Sequence, residues 1–82
     1  MLTSIYSDDY RRLLDLLVAA RKRAGVTQER LAEMLGRPQS FVSKFERGER
    51  RLDVIEFLRV VRLLGADPYK LLRKVEVKSA RP

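Results

Sequence analysis

The chain has 82 residues, 35% of them charged and 45% hydrophobic, and a formal net charge of +7. That length predicts one domain with a small core, with no room for a second. Cysteine and histidine are both absent, which excludes disulfide frameworks, Cys/His zinc sites and His-based catalytic triads.

The positive excess favours a polyanionic partner, either nucleic acid or an anionic membrane surface. Many small soluble domains are basic without such a partner, so charge alone does not decide. The start of the chain, Met1 to Tyr6, lacks the basic region and apolar run of a signal peptide. No stretch has the length of a transmembrane helix. Lack of cysteine fits a reducing compartment. The expected setting is therefore cytoplasmic, with no membrane partner.

Residues 1–7 read as an N-terminal arm, 8–75 as the folded domain and 76–82 as a basic tail. Ser7 is placed to cap a first helix, with Asp8 and Asp9 in the first turn, where the helix dipole favours negative charge. Tyr10, Leu13, Leu14, Leu17 and Val18 follow the spacing of one buried helical face. Arg21, Lys22 and Arg23 close this helix, and Gly25 suits the position just beyond it. Thr27 caps a short second helix whose inward residues are Leu31, Ala32 and Leu35. Arg30 stands where a capping box would have Glu or Gln, so that cap is incomplete. Gly36 ends the helix after about two turns, too short to stand without packing.

Pro38 sits at or just before the start of a third helix, where its missing N–H costs little. Val42 and Phe45 are the inward residues of this helix. Ser40, Ser43, Lys44 and Arg47 share the opposite face, with Gln39 at the N-terminal end and Gly48 as the stop. A thin apolar stripe opposite a face of amide, hydroxyl and amine donors suits a helix that reads a groove. Residues 49–52 form a basic loop. Asp53 with Glu56 makes a capping box, and Leu52 with Phe57 a hydrophobic staple, at the start of a fourth helix. Its stripe is Val54, Phe57, Leu58, Val61 and Leu64, widened by Ile55, Val60 and Leu63, and Gly65 ends it. Asp67-Pro68 opens a fifth helix carrying Tyr69, Leu71, Leu72 and Val75. Nothing sustains a period of two, so the expected fold is all-α.

Two short helices joined by a glycine-containing turn suggest a helix-turn-helix. The run from Thr27 to Arg50, with Gln28 opening helix two, Ala32 at the helix crossing, Gly36 in the turn and Glu46-Arg47-Gly48 closing helix three, resembles the Cro/phage-repressor (XRE-type) family. The resemblance covers about residues 9–75 and implies a five-helix, lambda-repressor-like DNA-binding domain with its helix-turn-helix at helices two and three.

In that family helix three enters the major groove of double-stranded DNA. Carried over by position, Gln39, Ser40 and Lys44 read bases: Gln pairs with adenine N6/N7 and Lys donates to guanine O6/N7. Gln28, Ser43, Arg47, Arg50 and Arg37 contact the DNA backbone, with Gln28 also placed to brace Gln39. Arg21 and Glu46 match a structural ion pair between helix one and the end of helix three. Tyr69, Leu71, Leu72 and Val75 match a two-fold dimer interface. The implied function is a dimeric repressor or autoregulator that reads an inverted-repeat operator.

Two readings are open for Phe41: packing against the turn, or contact with a thymine methyl or a sugar. Arg50-Arg51 reads either as a backbone contact or as a solubilising loop pair. A protein-interaction adaptor on the same fold, or an antitoxin that binds DNA with a partner protein, is the alternative function. The adaptor is disfavoured by the amide, hydroxyl and basic character of helix three. No enzyme is expected, because the eleven carboxylates fall in caps, exposed faces and loops, without an acid/base pair. No metal, cofactor or small-molecule ligand is expected either.

Overall fold

The computed structural model describes residues 2–79, with side chains from 8 to 76. Five helices follow one another: α1 Leu2–Arg23, α2 Gln28–Leu35, α3 Gln39–Glu46, α4 Val54–Leu63 and α5 Pro68–Ser79. No strand occurs among the described residues.

Three of the sequence expectations about ends hold in detail. Thr27 caps α2 by accepting the Arg30 backbone N–H at 3.0 Å. Gly36 follows α2 in the left-handed conformation, φ +70°, which a side chain would make costly. Asp53 and Glu56 form a reciprocal capping box at the start of α4. Pro38 is the N-cap of α3 and offers no side-chain hydrogen bond to its first turn.

Two ends differ. The helix that Ser7 was expected to cap already begins at Leu2, so residues 2–7 are helical rather than an arm. The segment has neither Gly nor Pro, so nothing in its backbone chemistry halts the helix at Ser7. Likewise α5 continues to Ser79, through the first residues of the expected tail. Met1 and residues 80–82 lie outside the described residues.

The core is a single cluster. α1 contributes Leu14, Leu17 and Ala20; α2 Leu31 and Ala32; α3 Val42 and Phe45; α4 Phe57, Val60 and Val61, followed by Leu64; and α5 Leu71. α2 packs on α3 and α4, while α1 packs on α3 and α5. Leu35, assigned inward, is only partly buried. Val54 and Ile55 belonged to the expected α4 stripe but are 71% and 64% exposed. The buried set falls at Phe57, Val60, Val61 and Leu64. Ile55 lies across the helix from it, and Val54 lies in the opening turn at its margin.

A polar tie completes the packing of α1 against α3. Arg21 donates from Nε to Glu46 Oε2 at 2.7 Å and from Nη2 to Oε1 at 3.1 Å. Its remaining Nη1 donates to the Val26 carbonyl at 2.9 Å. The two side chains are only 11% and 7% exposed, so the pair is largely shut off from water. Gln28 Nε2 donates to the same carboxylate at 2.8 Å, bringing α2 into the tie.

Removing one member of such a pair strands the other away from water. Glu46→Ala is expected to lower the unfolding free energy by ~3 kcal/mol in urea melts, a large part of the ~5–10 kcal/mol of a small domain. Replacing Arg21 by Met and Glu46 by Leu together should restore most of that loss. A double variant no better than Glu46→Ala would show that the cost lies elsewhere.

Candidate nucleic-acid interface

The outer face of α3 is set by what its inner face must do. Val42 and Phe45 are fully buried, so helical geometry turns Gln39, Ser40 and Lys44 outward, and all three are exposed. Ser43 is partly buried, and its hydroxyl donates to the Ser40 carbonyl at 3.3 Å. The three residues expected to read bases therefore share one open surface at the start and middle of the helix.

The far end of α3 is held by the scaffold. Arg11 on α1 donates to the Arg47 carbonyl at 3.3 Å. Gly48 adopts φ +83°, and a Cβ there would lie 3.3 Å from Arg11 Nη2 and 3.5 Å from Leu14 Cδ1. A residue with a side chain would thus meet both backbone strain and a neighbour at this turn. The loop beyond it is fixed by the Leu52 backbone N–H, which donates to the Tyr10 hydroxyl at 3.0 Å.

Each of the expected backbone-contacting arginines has a partner inside the chain. Arg47 donates to both oxygens of Glu49, at 2.8 and 3.3 Å. That hydrogen bond, ahead of the Coulomb attraction, holds Glu49 below the ordinary carboxylate range. Both side chains are more than half exposed, so the pair is weak and exchangeable. Arg50 reaches Glu56 through two hydrogen bonds, Nη1 to Oε1 at 2.6 Å and Nη2 to Oε2 at 2.8 Å. Arg37 reaches the same carboxylate at 3.2 Å.

Phe41 joins these two arginines. It is partly buried and meets Phe45 edge-on, with ring centroids 5.6 Å apart. The Arg37 guanidinium carbon lies 4.2 Å from its ring centroid and that of Arg50 lies 5.0 Å away, both within cation–π range. Of the two readings open for Phe41, the structure favours packing: the ring is a platform for arginines. The neighbouring Arg51 stacks over Tyr10, 4.3 Å from its ring centroid.

Glu56 is held at about 2, first by the Arg50 hydrogen bonds, then by the Asp53 backbone N–H. The lowered value means that its contribution to stability is intact above the ordinary carboxylate range and is lost only as pH falls toward 2.

The Gln28 side chain does not brace Gln39. Its amide nitrogen goes to Glu46 rather than to Gln39. Leu71, assigned to a dimer interface, is 7% exposed and packs in the chain's own core, so it is withdrawn from that interface. Tyr69 and Leu72 on α5 are exposed, and Val75 is partly buried beside Tyr10, Leu13 and Arg51 in a shallow groove between α1 and α5.

Some of these features carried no sequence signal. Glu56 was legible as a cap but not as the partner of two arginines, because Arg37 and Arg50 come to it through the turn and the loop. The Arg11 contact with the Arg47 carbonyl also depends on tertiary placement. Among the described residues no cluster of side chains is arranged to hold a metal ion, and no helix is long and apolar enough to cross a membrane.

Comparison with known proteins agrees with this geometry. A family model described as "Helix-turn-helix" matches residues 17–71. The solved structure of an XRE-family like protein from Pseudomonas syringae pv. tomato is similar at 56% sequence identity, with a TM-score of 0.92, over 96% of each chain. No curated protein sequence matches the chain. With more than half of its residues inside the family model and this similarity along nearly its whole length, the chain belongs to the XRE-type, Cro/phage-repressor family of DNA-binding helix-turn-helix regulators.

Proposed function

We propose that the protein is a homodimeric transcriptional repressor that reads an inverted-repeat operator with α3 in the major groove. The observation that carries this reading is the outward face of α3. Gln39, Ser40 and Lys44 are exposed together there, flanked by Arg37, Arg47 and Arg50. In this reading the exposed amide, hydroxyl and amine meet base edges, which supply specificity. The arginines meet phosphates, which supply salt-sensitive affinity. Ser43, half-buried on the same helical face, is assigned to the backbone. Gln28 contributes through the N–H groups at the start of α2 while its side chain stays on Glu46.

The exposed apolar residues of α5 support a dimer. Tyr69 and Leu72, with the edge of Val75, are assigned to a two-fold contact that sets two α3 helices about 34 Å apart, one turn of DNA. Repression by occlusion needs nothing beyond such a DNA-bound dimer, and a cytoplasmic setting goes with it.

Selection of bound duplexes from a random library tests the reading. An enriched inverted repeat with half-sites about one turn apart supports it; no enrichment from folded protein refutes sequence-specific binding by the chain alone. On the enriched duplex, Lys44→Ala should cost ~1–3 kcal/mol and relax preference at one base pair. Arg50→Ala should weaken all duplexes and reduce the salt slope by about one. Equal losses on every duplex from both variants would contradict this division of labour. Leu72→Asp should leave the thermal melt near that of wild type, yet give a monomer in sedimentation. An unchanged mass would remove α5 from the dimer contact.

A further inference from the structure

Glu56 lies outside the set of residues assigned to DNA, yet it holds two members of that set. Its carboxylate accepts two hydrogen bonds from Arg50, one from Arg37 and one from the Asp53 backbone N–H. Both guanidinium groups lie against the ring of Phe41, so their approach to the carboxylate is fixed by packing as well as by charge. Asp53 adds a second carboxylate whose Coulomb attraction also acts on Arg50. Arg59 lines the adjoining groove.

A carboxylate and a DNA phosphate offer an arginine the same thing, two oxygens matched to the guanidinium fork. We propose that Glu56 is an internal competitor for the DNA backbone, occupying Arg50 and Arg37 in the free chain so that these arginines engage phosphate fully only when α3 is seated in its operator. This rests on the reading above, in which the two arginines face DNA.

A guanidinium has five N–H donors. Arg50 spends one from each terminal nitrogen on Glu56, so an arriving phosphate meets an arginine whose terminal edge is already engaged. Two guanidinium charges are offset by one carboxylate, which lowers the attraction for any polyanion. On a random duplex the phosphate is only transiently near, and the carboxylate, held by the helix cap, keeps its partners. On the operator the contacts of α3 fix the phosphate beside Arg50, and the exchange becomes effectively intramolecular. Glu56 thus acts on specificity by reducing affinity for the wrong sites, a repulsive device of the kind that specific interfaces use.

Glu56→Gln separates the charge from the fold, because Gln at this position still completes a capping box. Thermal melts check that the variant is folded. Glu56→Asp, which keeps the charge but shortens the reach, serves the same test in a smaller measure. For wild type, Glu56→Gln, Arg50→Ala and the double variant, affinity is measured on a mixed-sequence duplex across a range of salt.

Glu56→Gln should bind the mixed-sequence duplex roughly three- to tenfold more tightly at low salt, with a salt slope steeper by about one. The gain should shrink when Arg50→Ala is added, because only Arg37 is then left for the substitution to release. Affinity for the duplex enriched by selection should rise less, so the ratio between the two falls. Unchanged or weaker binding by Glu56→Gln, with Arg50→Ala weakening binding as expected, overturns the competitor and leaves the DNA-binding surface standing. If Arg50→Ala has no effect on any duplex, the corner does not meet DNA, and both readings fall together.

Discussion

The placement of α3 depends on one buried carboxylate. Glu46 ends the helix and receives Arg21 from α1 and Gln28 from α2. α2 and α3 are eight residues each, too short to persist alone. Apolar packing by Leu31, Ala32, Val42 and Phe45 brings them together without fixing every angle. The hydrogen bonds on Glu46 are directional, and the carboxylate is nearly enclosed, so the two helices are also tied at the ends remote from their turn, where α2 opens and α3 closes. Arg11, at the Arg47 carbonyl, adds a second restraint from α1 at the same end. A helix that must present side chains to base edges needs this rigidity, because a site loose by about 1 Å loses much of its specificity.

A second carboxylate, Glu56, works on the opposite edge of the same surface. It begins as a helix-capping group and ends as the partner of two arginines stacked on Phe41. The two differ in exposure. Glu46 is almost closed off and serves the fold. Glu56 is about one-fifth exposed and its arginines two-fifths, so water and phosphate can reach them. The same pairing of arginine with carboxylate is therefore a fixed brace in one place and an exchangeable contact in the other.

The helices were legible because their signals are local. Gly36 and the Asp53–Glu56 box each determine a boundary through the backbone chemistry of a few residues, and the structure has them where the sequence placed them. The beginning of α1 was misplaced at Ser7 because a good cap residue is a permission to start a helix, not an obligation. The apolar stripe of α4 was drawn too wide because apolar identity at Val54 and Ile55 says nothing about whether a neighbour covers them. The resemblance places Leu71 in a dimer interface with its apolar neighbours in α5, and only the tertiary structure shows which of them the chain itself buries. The Arg21–Glu46 pair was legible through resemblance alone, and the partners of Gln28, Arg37 and Arg50 were legible by neither route. Gln28 and Arg37 reach carboxylates 18 and 19 residues away, and Arg50 reaches from the loop to one six residues on in α4, so no helical spacing encodes these contacts.

The central claim is that the face of α3 carrying Gln39, Ser40 and Lys44 is the DNA-reading surface. Amide chemical-shift changes of the labelled protein, followed as the selected duplex is added, test it most directly. The account predicts the largest changes in residues 37–44, with further changes at Gln28 and Arg50 and little effect in the middle of α1. Largest changes on the outer faces of α4 or α5, with α3 unmoved, would contradict it.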